Sequence, residues 1–84
     1  MTGAVRAVVH VYLKPGVLDV QGKAVENALH GLGWTGVDNV RVGKVIEFDL
    51  RVADPVAAER EVAAMCEKLL ANPVIEGWRV EVGA

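Results

Sequence analysis

The chain has 84 residues, enough for a single domain spanning 1–84, and its one cysteine excludes an internal disulfide. Hydrophobic residues make up 52% of it and aromatic residues only 5%, so aliphatic side chains must fill the core of an ordinary globular domain. The net charge of −2, with basic residues scattered among acids, disfavours a nucleic-acid partner, and the lack of a long apolar run or signal-peptide core predicts a cytoplasmic protein with no membrane partner.

The first predicted element is a strand over residues 4–13, "AVRAVVHVYL". Apolar residues alternate from Val5 to Leu13 with the period of two expected of a half-buried strand. The opposite face is neither wholly polar nor wholly apolar and includes Val8, His10 and Tyr12. A mixed face of this kind on a strand favours contact with a partner.

A helix is predicted next, with Asp19 as its N-cap and Gly33 as its stop signal. Four apolar residues recur at helical spacing and predict a buried stripe: Val25, Ala28, Leu29 and Leu32. We refer to these four residues as the α1 stripe.

Residues 38–42 and 45–52 predict two further strands, joined as an antiparallel hairpin around Gly43 and Lys44. In the second of them, alternate residues from Ile46 to Val52 are apolar. The hairpin would add two neighbouring strands to a sheet.

A second helix is predicted to begin at Asp54, since an Asp cap followed by proline is a favoured helix start. Its predicted buried stripe comprises Val62, Met65, Cys66, Leu69 and Leu70. Pro73 should end the helix by about residue 71, and "GWRVEV" predicts a last strand. We expect one of Val74 and Ile75 to plug the core and the other to contact a partner.

The element order β-α-β-β-α-β predicts an α+β, ferredoxin-like fold. In that fold a four-stranded antiparallel sheet carries two helices on one face, and its other face is left to solvent or a partner. Because a domain this small has a limited core, we expect the chain to self-associate as a dimer or higher oligomer.

Residues that would build an active site are not apparent in the sequence. The loop after the first strand lacks the Cys-x-x-Cys of heavy-metal-binding domains, and both common phosphate-binding glycine motifs are missing. Cys66 falls in an apolar stripe, where a thiol is usually inert packing. We therefore expect no catalytic residue, cofactor site or metal site in this chain.

Three segments, "VHVYLKPGVLDVQGKAVENAL", "VRVGKVIEF" and "CEKLLANPVIE", resemble the PurS family over nearly the whole chain. That family is the small subunit of phosphoribosylformylglycinamidine (FGAM) synthase. Two positions depart from its usual pattern: Val20 stands where proline is common, and Gly77 where an acidic residue is common.

The resemblance implies a non-catalytic subunit of a glutamine-dependent, ATP-consuming C–N ligase of purine biosynthesis. Such a subunit is thought to bridge a glutaminase subunit and a synthetase subunit and to assist ammonia transfer in converting formylglycinamide ribonucleotide (FGAR) to FGAM. ATP and magnesium would then bind to the partner synthetase subunit.

Candidate subunit-contact residues come from the mixed strand face and from the motifs that carry the resemblance. They are Val8, His10, Tyr12, Lys14, Asp19, Gln21, Gly22, Arg41, Gly43, Lys44, Asn72, Val74 and Ile75.

Two other functions share the predicted element order. An ACT-like regulatory module would bind a small molecule, such as an amino acid, at a domain interface. An acylphosphatase-like enzyme would need an arginine in the loop after the first strand to hold phosphate, and Lys14 replaces that fork poorly.

Overall fold

The computed structural model of the chain describes residues 4–52 and 54–83. Its elements in chain order are β1 (Val5–Leu13), α1 (Val20–Gly31), β2 (Lys44–Leu50), α2 (Pro55–Met65), a π-helical turn (Cys66–Leu70) and β3 (Glu76–Gly83). No helix in these two ranges is long and apolar enough to cross a membrane.

β1 is the central strand of an antiparallel sheet with the order β2-β1-β3. Val9 lies opposite Ile46 of β2 and opposite Val80 of β3. The predicted apolar face of β1 is buried from Val5 to Val11, and Val62 of α2 and Cys66 of the π-helical turn pack against it and are fully buried. The core is therefore a thin layer between one sheet face and one helix.

The prediction of a four-stranded sheet is wrong for the described residues, where the sheet has three strands. Residues 38–42 belong to no strand ladder, and β2 pairs with β1 rather than with them. The amides of Val40 and Val42 donate to side chains of α1 instead of to a neighbouring strand. Alternating apolar residues favour an extended chain, but they do not indicate which groups accept the hydrogen bonds of its backbone amides.

The prediction that both helices cover one face of the sheet is also wrong. α2 packs on β1 and β3, whereas α1 makes at most marginal contact with the strands. In the α1 stripe, the side chains of Val25 and Leu32 are 39% and 72% exposed. The molecule is elongated, measuring 52 × 27 × 15 Å, and its radius of gyration is 16.4 Å. A compact domain of this length would have a radius of about 12 Å.

The helix ends follow the sequence signals closely. Asp19 and Asp54 are the N-caps of α1 and α2, and their carboxylates accept hydrogen bonds from the amides of Gly22 and Val56. Gly33 has a φ of +107°, and the amides of Gly33 and Trp34 donate to carbonyls in the last turn of α1. This is the glycine-terminated C-cap that the sequence predicts.

The π-helical turn changes which residues of the second helix are buried. The amide of Ala71 donates to the carbonyl of Cys66, and the wider turn rotates the residues that follow Met65. Cys66 remains fully buried, but Leu69, expected in the buried stripe, is 83% exposed. Regular helical spacing cannot anticipate this rotation.

Candidate functional site

Residues that carry the family resemblance meet where β1 ends. The loop after β1, the first turns of α1 and the segment 39–43 enclose an open groove of about 610 Å³, which we call the strand-end groove. Its lining includes Tyr12, Asp19, Arg41 and Gly43 of the candidate residues. Gln21 and Lys44 line an adjoining depression together with Glu76.

Asp19 organises the floor of this groove. Its Oδ1 accepts a hydrogen bond from the amide of Gly22 at 2.7 Å, and its Oδ2 accepts one from the amide of Val42 at 2.7 Å. The carboxylate is buried although the loop around it is exposed. The hydrogen bonds from Val42 and Gly22 stabilise the charged form and lower the pKa of Asp19 below its ordinary value.

Glu26 makes a second contact with the same segment. Its Oε1 accepts a hydrogen bond from the amide of Val40 at 3.2 Å, and its Oε2 lies 3.5 Å from Nζ of Lys23. The hydrogen bond from Val40, aided by the charge of Lys23, lowers the pKa of Glu26 in spite of its burial. One face of α1 therefore supplies two carboxylates to one extended segment.

Two candidate glycines allow the backbones to approach. A Cβ at residue 22 would collide with the carbonyl oxygen of Val40 and would lie 2.8 Å from Oδ2 of Asp19. A Cβ at Gly43 would lie 2.7 Å from the carbonyl oxygen of Val11. Neither position has room for a side chain.

Arg41 joins the segment 39–43 to the end of β1. Its Nη2 donates to the carbonyl oxygens of Lys14 at 3.1 Å and Leu13 at 3.4 Å. The guanidinium thus satisfies carbonyls just beyond the point where β2 stops pairing with β1. Arg41 fixes the wall of the groove while its side chain remains at the surface.

Lys14 links the loop after β1 to the turn that follows the π-helical turn. Its Nζ donates to the carbonyl of Pro73, and its amide donates to the carbonyl of Ile75, both at 2.8 Å. Within that turn, the side chain of Asn72 accepts from the amide of Val74, and the amide of Asn72 donates to the side chain of Glu76. We call residues 72–75 the exit turn.

The expectation that Val74 or Ile75 plugs the core is wrong. Val74 is 79% exposed and Ile75 is 38% exposed, whereas Ala71, just before the exit turn, is buried. The hydrogen bonds around Asn72 turn the chain outside the core, so the core ends at Ala71. Val74 and Ile75 therefore leave apolar side chains on the surface.

The sheet face that α2 does not cover carries several charged side chains besides Val8, His10 and Tyr12. Arg6 forms ion pairs with Glu47 and Asp49, and Nε2 of His10 lies 3.1 Å from Glu81.

Val8 and His10 are half-buried among these charged side chains. The ring of Tyr12 covers Gly77, since a Cβ there would lie 2.8 Å from Cε2 of the tyrosine. The structure explains how these three residues are accommodated, and their role as contacts stays a prediction.

The side chains of Asp19, Glu26 and Arg41 hydrogen-bond to backbone groups around the strand-end groove. The described residues contain no cluster of metal-ligating side chains and no buried side-chain polar atom without a hydrogen-bond partner. Burial raises the pKa of the Cys66 thiol and so disfavours its nucleophilic thiolate.

Sequence reasoning missed Glu26, which had no place among the candidates. A signal was present: Asp19, Gly22 and Glu26 are spaced three and four residues apart, so they share one helix face. Two carboxylates that flank a glycine on one helix face could accept hydrogen bonds from a backbone segment packed on that face. The spacing does not identify which segment it is.

Comparison with known proteins agrees with the resemblance. The family model PurS, described as phosphoribosylformylglycinamidine (FGAM) synthase, matches residues 6–84. The chain is 49% identical over 75 residues to the synthase subunit PurS of Mycobacterium leprae, covering 89% of this chain and 91% of that one.

Two solved structures are similar throughout. A crystal structure of PurS from Bacillus subtilis superposes with a TM-score of 0.86 at 45% identity, covering 95% of this chain and 99% of that one. A chain in the structure of PurLQS from Thermotoga maritima gives a TM-score of 0.85 at 28% identity, with 94% and 96% covered.

Proposed function

This chain belongs to the PurS family of FGAM synthase, and we propose that it is the non-catalytic small subunit of that enzyme complex in purine biosynthesis. The observation that carries the proposal is the family match over residues 6–84. It is supported by the likeness to a chain of the Thermotoga maritima PurLQS structure. In this role the chain acts by contacting the other subunits of the complex.

The proposed task is to bridge a glutaminase subunit and an ATP-dependent synthetase subunit. The glutaminase releases ammonia from glutamine, and the synthetase uses ATP and magnesium to place that nitrogen on the amide of FGAR, giving FGAM. Ammonia released into water near neutral pH is mostly protonated and diffuses away. An assembly that encloses the transfer excludes water and limits this loss.

The exit turn supplies the proposed contact with a larger subunit. Val74 and Ile75 are 79% and 38% exposed, and branched apolar side chains gain nothing from water. Lys14 and Asn72 hold the exit turn in one conformation through their hydrogen bonds. A patch that is already ordered binds with less loss of conformational entropy.

A second apolar surface supports self-association. Along β2 and α2, on the sheet face that α2 partly covers, lies a largely apolar groove. Its lining consists of Phe48, Glu61, Ala64, Met65, Lys68, Leu69 and Leu70. In a ferredoxin-like fold a second helix would lie on this side of the sheet, yet α1 lies elsewhere. The exposed α1 stripe of a second copy has the chemistry to fill it, so we propose a dimer or higher oligomer.

Co-expression with the two larger subunits of the same organism tests the assignment. Affinity purification of the glutaminase subunit in the presence of glutamine, ATP and magnesium should recover this chain and the synthetase subunit in one particle by size-exclusion chromatography. Elution of the two large subunits together, with this chain in a separate peak, would contradict the proposal.

A further inference from the structure

Helix α1 is attached to the rest of the molecule by polar contacts rather than by a packed core. Its contacts with the strands are marginal, and its apolar side chains at Val25 and Leu32 face solvent. The contacts made by its side chains run to the segment that follows it: Asp19 to Val42, Glu26 to Val40, and Nε2 of His30 to the carbonyl of Val37 at 2.7 Å. An element held in this way has a position set by a few hydrogen bonds.

The two carboxylates act on alternate residues of the segment 39–43, which belongs to no strand. Val40 and Val42 direct their amides to the same side of the chain, as alternate residues of a strand do. In a sheet, the carbonyls of a neighbouring strand would accept these hydrogen bonds. Here Glu26 and Asp19 take the place of that strand, and Gly22 between them leaves room for the carbonyl of Val40.

We propose that Asp19 and Glu26 form a latch that holds α1 as an arm projecting from the sheet, with residues 39–42 as its catch. The latch fixes the direction in which the α1 stripe faces. Releasing the latch leaves α1 helical but lets it move relative to the sheet. This inference concerns the conformation of the chain and goes beyond the proposed function.

A test must separate the latch from the helix cap, because Asp19 serves both. Asparagine caps helices about as well as aspartate, but it offers one acceptor oxygen where the carboxylate offers two. Asp19→Asn can therefore serve the amide of Gly22 or that of Val42, but not both. Asp54→Asn is the matched control, since among the described residues the carboxylate of Asp54 accepts a hydrogen bond only from Val56, at the start of α2.

A second variant tests the latch without touching the cap. Glu26→Ala removes the acceptor of the Val40 amide and installs the best helix former, so α1 itself is not weakened. Glu26→Gln keeps one acceptor oxygen and should restore the contact in part. This pair stays informative even if Asp19→Asn fails to fold.

Amide hydrogen exchange by NMR is the measurement. We expect Glu26→Ala to accelerate exchange at Val40 at least tenfold and Asp19→Asn to do the same at Gly22 or Val42. Glu26→Gln should lie between Glu26→Ala and the parent chain, and Asp54→Asn should leave Val40 and Val42 unchanged. Exchange at these amides within twofold of the parent in both latch variants would overturn the proposal.

Movement of the arm has its own readout. Spin labels at Ala24→Cys on α1 and Val45→Cys on β2 occupy exposed positions, and dilution with unlabelled chain isolates distances within one molecule. The distance distribution should broaden in Glu26→Ala and stay narrow in Asp54→Asn. An unchanged distribution in Glu26→Ala would mean that the latch does not position α1. Neither measurement uses the larger subunits, so a failure of the proposed assembly would leave both results valid.

Discussion

Gly22 is the residue at which α1 and residues 39–42 come closest. A glycine inside a helix ordinarily lowers stability relative to alanine, by about 0.5–1 kcal/mol. At this position the space for a Cβ is already occupied by the carbonyl of Val40 and the carboxylate of Asp19. The usual helix preference is therefore expected to reverse.

Gly22→Ala should lower the free energy of unfolding by about 1–3 kcal/mol, the range for overpacking a filled site. Gly31→Ala is the matched control in the same helix, because a Cβ there meets nothing within 4 Å. The control should be neutral or slightly more stable than the parent. Urea denaturation followed by circular dichroism measures both variants, and a Gly22→Ala chain at least as stable as the parent would contradict the described geometry.

The lowered pKa values of Asp19 and Glu26 predict how stability depends on pH. A carboxyl group whose folded pKa lies below its unfolded pKa binds protons more readily when unfolded. Its stabilising effect is complete above the unfolded values of about 3.9 for Asp and 4.3 for Glu, and is lost as pH falls through the folded pKa.

The urea midpoint of the parent chain should therefore fall below about pH 4. Asp19→Asn should show a shallower fall over the same range, since it lacks one of the two groups. Measurement at half-unit steps from pH 7 to pH 3 checks this. Identical slopes for the two proteins would show that Asp19 contributes nothing to the dependence.

At the scale of elements, local signals were reliable and the partners of elements were not. Both N-caps, the glycine stop of α1 and the end of the second helix by Ala71 were predicted, because each depends on residues close in sequence. The second strand and the packing of α1 were predicted wrongly. Apolar residues alternate at 38–42, and this alternation favours an extended chain. It does not indicate whether the backbone amides bond to a neighbouring strand or to the carboxylates of a helix.

The hydrogen bonds of the strand-end groove were predicted only in part for the same reason, and the role of the candidate residues as subunit contacts stays a prediction. Asp19 was predicted as a helix cap, but its second hydrogen bond, to Val42, joins residues far apart in sequence. Leu69 was placed in the core because the regular period of 3.6 residues does not include the π-helical turn that carries it outward.

A substitution in the exit turn should affect assembly without affecting stability. Val74→Asp should keep the melting temperature of the parent, because exposed substitutions usually change stability by less than about 0.5 kcal/mol. It should nevertheless lose co-purification with the larger subunits. Val56→Asp, an exposed valine at the start of α2, is the control and should keep both properties. Full assembly by Val74→Asp would exclude the exit turn as a contact.

The whole molecule has an extended shape that an isolated domain of this length seldom adopts. Its radius of gyration of 16.4 Å exceeds the value of about 12 Å for a compact domain. An uncovered helix and an uncovered groove on the sheet are both apolar, so their mutual burial would be favoured by the hydrophobic effect. The other sheet face carries ion pairs, so its burial in such an association would gain less from the hydrophobic effect.

Light scattering at micromolar concentration should give a mass of at least two chains. Leu32→Lys, in the α1 stripe, should shift that mass toward one chain, since lysine keeps the helix propensity but places a charge in the interface. Val45→Lys, on the uncovered sheet face, should not. The reverse outcome would assign the interface to the face of Val8, His10 and Tyr12.

The proposed role of this chain is to enable glutamine-dependent synthesis without catalysing a step itself. It is tested by measuring FGAM formation by the purified glutaminase and synthetase subunits, with and without this chain, using either glutamine or ammonium as the nitrogen source. We expect that the glutamine-dependent reaction requires the chain, that the ammonium-dependent reaction does not, and that the chain alone consumes neither glutamine nor ATP. Turnover of glutamine or ATP by the pure chain, or full glutamine-dependent activity in its absence, would contradict it.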